Sequence, residues 1–453
     1  MPTQPPIYST RPAGGISVIR ISGEEALSVA DRIFIPVSAD KKPSQMAGYT
    51  CAYGKISDGK NVIDEAVLTV FRAPKSYTGE DVAEISCHGG IFVTEQVLRL
   101  ALKSGAVPAE AGEFTKRAFL NGKLNLTQAE AVMDTISAGG RAELRCAAAL
   151  REGALFRRIK SVSNSIVTLL GSLAAWVDYP EDDIPAVDDS EINRMLSAAI
   201  AELGEMLKGY DNGRIIREGI DTVIAGKPNV GKSTLMNLLS GCERSIVTEI
   251  AGTTRDIVEE SVRLGDVVLR LSDTAGIRDT EDIVENRGVR LAKKKLETAQ
   301  LVLAVFDMGE TITEEDIALA ESCRGRLALA VLNKSDLEQK FDFEKISRCF
   351  GASVSISAKS GGLGELEKVL EKLLKTEEFS PEAGALANER QRRCAELAKT
   401  SFEQALDALS CGATLDAVTI IIDDGENALL ELTGERASEA VVDEVFSHFC
   451  VGK

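Results

Sequence analysis

The stretch GKPNVGKS at 226–233 has the spacing G-x-x-x-x-G-K-[ST] that binds phosphate. It follows a short apolar run, DTVIAG, and opens a helical pattern, which is the context that chemistry needs. Backbone N–H groups around Asn229, Val230 and Gly231, with the helix N-terminus behind them, can cradle phosphate oxygens. Lys232 would reach the β- and γ-phosphates, and Ser233 would ligate Mg2+, with Thr234 beside it. Three more groups follow in order. Thr253 and Thr254 in AGTTRD offer a hydroxyl to Mg2+ and the γ-phosphate. Asp273, Thr274, Ala275 and Gly276 form DTAG, with a carboxylate near the magnesium and a glycine N–H for the γ-phosphate. Asn333, Lys334 and Asp336 in NKSD end a strand, where the aspartate can accept from N1 and N2 of guanine, donors that adenine lacks. Ser357, Ala358 and Lys359 form SAK and would meet the guanine oxygen through backbone N–H. The set implies binding of GTP with Mg2+.

The residue after DTAG is Ile277, where Ras-like switches place a water-orienting glutamine. Charge on the transferred phosphoryl group also needs a stabiliser, usually an arginine. Asn229 is a candidate for the second gap: its amide oxygen and neighbouring carbonyls could hold K+. The same asparagine could equally cap its own loop. For the water, Asp279, Glu281, Asp282 and Glu285 are available, and the residue types do not select among them.

These groups need elements to hold them. The 453 residues allow two to four domains. Eight of the twelve prolines lie at or before Pro108, and residues 109–179 have none. Over 1–118, ISVIRISG, YTCAYGKI and EAVLTVFRAP read as strands, and GIFVTEQVLRLALKSG as a helix closed by Gly105, giving an α+β domain. From about 122 to 212 apolar residues recur at helical spacing in one long pattern, then in a second helix capped by Ser190. DTVIAG, DVVLRLSD, AQLVLAVFD, RLALAVLN and ASVSIS then alternate with helical segments, which implies a doubly wound, Ras-like parallel sheet. Helix returns after Pro381. The expected parse is an α+β domain at 1–118, a discontinuous all-helical domain at 119–214 and 376–453, and an α/β domain inserted at 215–375.

A net charge of −18 argues against a non-specific nucleic-acid coat. The basic clusters Lys116, Arg117, Lys123 and Arg390, Arg392, Arg393 read as solvated faces. Nine scattered cysteines without a Cys-x-x-Cys pair argue against a disulfide framework or structural zinc. No apolar run of about 18 residues and no signal-like N-terminus is present, so a cytoplasmic location is expected.

The whole chain resembles the MnmE (TrmE) family of bacterial tRNA-modification GTPases, through GISVIRISG, SYTGEDVAEISCHGG, AGEFTKRAFLNGKLNLTQAEAV, IVTEIAGTTRD and the terminal FCVGK. The opening PPIYSTRPAGG is shorter and richer in proline than the family's usual ATP.G.GG. The resemblance implies an N-terminal domain that binds 5-formyl- or methylene-tetrahydrofolate and makes a homodimer. Its folate residues match Arg20, Glu80, Lys123 and Lys453. It also implies K+ activation, with ligands at Asn229, Thr248, Ile250 and Thr253, formed where two G domains of the dimer meet. The water-orienting glutamate matches Glu285, and the family's C-terminal cysteine matches Cys450, a thiol that could react or simply pack. A flavoprotein partner, MnmG (GidA), would bring FAD and NADH into a heterotetramer or larger complex. Together they would add an aminomethyl or carboxymethylaminomethyl group to C5 of the wobble uridine of certain tRNAs.

Overall fold

The run LVLAVFD is buried at all seven positions, as a central strand covered on both faces must be. In a computed structural model of the chain it is the strand Leu301–Asp307. The structure describes residues 6–9, 14–38, 42–138, 141–178, 188–241, 260–265, 267–271, 299–374, 384–449 and 452. They form two compact units, Met1–Met133 with Arg151–Ala186 and Ala408–Lys453, and Asp134–Leu150 with Val187–Asp407.

The first unit holds a seven-stranded sheet in the order β3-β4-β5-β6-β2-β1-β7. Its strands are β1 Pro6–Ser9, β2 Ile16–Ser22, β3 Phe34–Pro36, β4 Thr50–Ser57, β5 Val62–Phe71, β6 Val82–His88 and β7 Val107–Pro108. The proline-rich opening still supplies β1, which pairs antiparallel with β2 and parallel with β7. Alternate residues Ile19, Ile21, Leu68, Val70 and Ile85 turn to one face and pack with Val29, Ile33 and Val97 of the helices Ala26–Ile33 and Ile91–Lys103. Each such side chain contributes about 1.5–3 kcal/mol of burial.

In the same unit the helix Ala154–Asp178 lies against Leu415–Thr433, although the second sheet separates them in sequence. That pairing is what an inserted α/β domain requires. Lys160 and Glu435 bridge the two ends at 2.9 Å. Deeper in, Ser163 Oγ donates to Glu426 Oε1 at 2.6 Å. Glu426 Oε2 is buried with no partner. Burial pushes the Glu426 carboxyl above its ordinary value of 4.5. A carboxyl raised on folding binds its proton more tightly in the native state, so its contribution falls as pH climbs from the ordinary value through the native one. Glu426→Gln should therefore raise the melting point at pH 8, by about 2–4 °C, and change it little in acid. Equal gains at both pH values in thermal scans would refute this.

The second unit carries a six-stranded sheet, β13-β12-β11-β8-β10-β9. These are β8 Ile220–Ala225, β9 Glu260–Leu264, β10 Val267–Leu271, β11 Leu301–Asp307, β12 Ala328–Asn333 and β13 Ala352–Ser355. All neighbours are parallel except β9, which is antiparallel to β10 at the edge. On β11, Leu301, Leu303 and Val305 join one core, and Val302, Ala304 and Phe306 join the other. Two cores on opposite faces make the doubly wound sandwich expected from alternating strands and helices.

Three expectations change in detail. The long helical pattern divides into Leu126–Ser137, Arg141–Arg151 and Ala154–Asp178; Gly153, at φ 80°, stands before the last. The helix Asp189–Glu218 is capped by Asp188, whose carboxylate accepts from Ser190 N–H, not by Ser190 itself. The strand β9 has no counterpart in the sequence reading. Among the described residues no helix is long and apolar enough to cross a membrane.

Candidate functional site

The strand β8 delivers the chain into the loop at Gly226, and the helix Lys232–Ser240 receives it. The loop turns through positive φ at Gly226 (158°), Asn229 (64°) and Gly231 (99°). A Cβ at Gly226 would stand 2.6 Å from the Val305 carbonyl oxygen, and one at Gly231 would overlap Asn333 Nδ2. Glycine is required at both. The helical ladder begins with Leu235 N–H donating to Gly231 O at 2.9 Å. The N–H groups of Lys232, Ser233 and Thr234 precede it and face the positive helix end. Lys232 Nζ donates to the carbonyls of Gly226 (2.7 Å) and Lys227 (2.8 Å). Burial lowers its pKa. A desolvated ammonium with only carbonyl partners favours an arriving anion.

The other end of the site hangs on Asn333, the buried last residue of β12. Its Nδ2 donates to Val230 O at 2.8 Å, and its Oδ1 accepts from Ala358 N–H at 2.9 Å. One side chain thus ties the phosphate loop, NKSD and SAK together. Lys334, at φ 61°, places Nζ 2.5 Å from Asp307 Oδ2, and Gly309 N–H donates to Asp307 Oδ1 at 2.9 Å. Asp336 is exposed beyond them. A hydrogen bond from Ser357 holds its carboxyl below the usual range, so it is an ionised acceptor. Ser357 Oγ in turn accepts from Ser360 Oγ at 2.6 Å. Lys359 contributes a nearby positive charge that lowers Asp336 further.

A second polar cluster lies in the first unit, around the loop Tyr77–Glu80. Arg20 on β2 pairs with Glu84 at 2.7 Å, and its guanidinium stands 5.8 Å from the Tyr77 ring centre and 5.6 Å from that of Phe114. Glu80 accepts from Ser22 Oγ at 2.9 Å and from Arg117 at 2.9 Å. Gly79 turns at φ 82°, and a Cβ there would lie 3.4 Å from Lys123 Cγ. Lys123 Nζ donates to Pro74 O at 3.1 Å. One loop therefore gathers Arg20, Glu80 and Lys123.

A family model described as the MnmE helical domain matches residues 126–450, and one described as the GTP-binding protein TrmE N-terminus matches 6–123. The chain belongs to the MnmE family. The tRNA modification GTPase MnmE of Acetivibrio thermocellus is 41% identical over 97% of this chain and 97% of its own. That of Heliobacterium modesticaldum is 42% identical, with the same 97% coverage on both sides. The Bacillus pumilus protein of the same name is 41% identical, again at 97% and 97%.

The structure brings Asn229 through Thr234, Asn333, Lys334, Asp336 and Ser357 through Lys359 to one end of the second sheet. Thr248, Ile250, Thr253, Thr254, Asp273, Thr274, Ala275, Gly276, Glu285, Cys450 and Lys453, together with Ile277, lie outside the described residues. One sequence reading of an MnmE-family motif is corrected. Arg117 is no solvated charge: its side chain is 7% exposed and pairs with Glu80 and Glu113. Spacing held a partial clue, since Glu113 and Arg117 stand four apart on the helix Glu113–Leu120. Tyr77, Phe114 and Lys227 are further site neighbours that sequence reasoning did not single out.

Proposed function

We propose that this protein hydrolyses GTP in the service of tRNA modification. The observation that carries the reading is Asn333, which ties the phosphate loop at Val230 to SAK at Ala358, within a chain 41% identical to a tRNA modification GTPase. Lys232 and the amides behind it take the phosphates, and Asp336 takes the base. Ser233 is exposed at the helix start and, with Thr254, would hold Mg2+, which neutralises phosphate charge. Asn229 is exposed at the rim of the loop in a left-handed turn, and a neutral amide oxygen there suits a monovalent cation. With Thr248, Ile250 and Thr253 it would hold K+, whose charge stands where an arginine otherwise would. Glu285 then orients the water.

The cluster at Tyr77–Glu80 supports a folate site: two cations suit a polyanionic tail, a carboxylate suits a pterin N–H edge, and Tyr77 offers an aromatic wall. Lys453 completes the set, and Cys450 stands three residues away in sequence. We assign the product to C5 of the wobble uridine of tRNA, made with an MnmG flavoprotein that carries FAD and NADH, in the cytoplasm. Exposed Ile35, Tyr53 and Val67 on the uncovered side of β3, β4 and β5 favour a homodimer through the N-terminal domain. The domain limits are 1–118, 119–214 with 376–453, and 215–375.

Hydrolysis should run about a hundredfold faster in K+ than in Na+, the scale of one lost charge stabiliser. Asn229→Ala should erase that preference while GTP binding persists. Equal wild-type rates in the two salts, followed by phosphate release, would sink the cation site and leave GTP binding untouched.

A further inference from the structure

Lys227, the second residue of the phosphate loop, turns its side chain into the protein. Its side chain is only 12% exposed. Its Nζ lies 3.2 Å from Asp316 Oδ2 and 3.0 Å from Glu310 Oε2. Asp316 is 1% exposed, and the same Oδ2 accepts from Thr313 N–H at 2.9 Å and Thr313 Oγ at 2.7 Å. Thr313 and Asp316 form the capping box of the helix Glu314–Cys323. Burying an ammonium and a carboxylate is costly unless both find partners; here Lys227 has two carboxylates and Asp316 Oδ2 has Lys227 and two Thr313 donors. Desolvation pulls the Lys227 pKa down, but Glu310 and Asp316 more than offset it, so the group stays charged.

The backbone of the same residue has a second task. The Lys227 carbonyl is one of the two that hold Lys232 Nζ. The anchored segment also reaches the base end, because Asp307 at its start binds Lys334. Asp307 to Asp316 thus forms a strut, fixed to the guanine motif at one end and to the phosphate loop at the other.

We propose that Lys227 is a positioning residue for the phosphates: its buried pair with Asp316 fixes the carbonyl that sets Lys232, and so couples the guanine end of the site to the β- and γ-phosphate end. This rests on the nucleotide reading above. It predicts a selective defect. GTP and GDP carry the phosphates that Lys232 serves, whereas GMP has neither.

The test is competition binding of GTP, GDP and GMP to the full-length protein, alongside melting temperature. Lys227→Met should weaken GTP and GDP by about tenfold or more, a modest misplacement of a binding group. GMP should be nearly unaffected, and Lys227→Arg should restore most of the loss. Asp316→Asn should show the same selectivity and decides the matter if Lys227→Met does not fold. Equal losses for GMP, or no loss for GTP, would overturn the positioning role while wild-type GTP binding upheld the site. Failure of the wild type to bind GTP would overturn both.

Discussion

Asp336→Asn should lose GTP affinity by about a hundredfold or more, because one of two hydrogen bonds is lost, the other loses its charged acceptor, and a donor faces a donor. The carboxylate sits exposed at the mouth of the site, and Ser357 keeps it ionised. An ionised acceptor with two oxygens matches the adjacent N1–H and N2–H2 of guanine. An asparagine keeps one acceptor and turns an N–H toward a base edge that already carries donors. The same substitution suits xanthine, which has a carbonyl at C2 where guanine has the amine. Affinity for xanthosine triphosphate should therefore rise as that for GTP falls. Competition between the two nucleotides, on wild type and variant, reads the exchange directly. A variant that binds GTP as the wild type does would place base recognition elsewhere. Because Asp336 stays ionised to below its ordinary value of 3.8, wild-type affinity should be flat through neutral pH.

Much of this site was legible from local patterns. The phosphate loop, NKSD and SAK each occupy a few consecutive residues, and each follows an apolar run that became a strand. Strands β8, β10, β11 and β12 were legible for the same reason: their residues are buried or half-buried throughout, so their sequences are largely apolar. The edge strand β13 was legible instead from alternation, with Val354 buried between exposed serines. The edge strand β9 was not, because ESVRL mixes charge with apolar residues and pairs on one side only. The bonds that assemble the site leave no local trace. Asn333 and Val230 are 103 residues apart, and Lys227 and Asp316 are 89 apart. Arg117 shows the same limit from the other side. TKRAFLNGK looks like a solvated basic patch until Glu80, 37 residues earlier, is seen to face it.

Gly231→Ala should abolish measurable nucleotide binding while leaving the sheet intact. Two separate costs combine. The residue sits at φ 99°, where an L side chain is strained by about 1–2 kcal/mol. The larger cost is steric, since the new methyl group would overlap Asn333 Nδ2. Asn333 cannot swing aside cheaply. It is buried, and its amide serves Val230 O on one side and Ala358 N–H on the other. Moving it strands both backbone groups away from water and pulls SAK from the phosphate loop. The alternative is for the loop to move, which shifts the Lys232, Ser233 and Thr234 amides at the helix start. Either way the site loses its phosphate end or its base end. A second substitution isolates the clash. Asn333→Ala on the Gly231→Ala background removes the overlap but keeps the strained turn and leaves the two backbone groups unpaired. If clash were the only cost, the double variant would regain GTP binding; if the Asn333 bonds hold the site together, it stays inactive. Calorimetric titration with GTP, checked by circular dichroism for an intact fold, distinguishes them, and recovery in the double variant would show that Asn333 is packing rather than a tie.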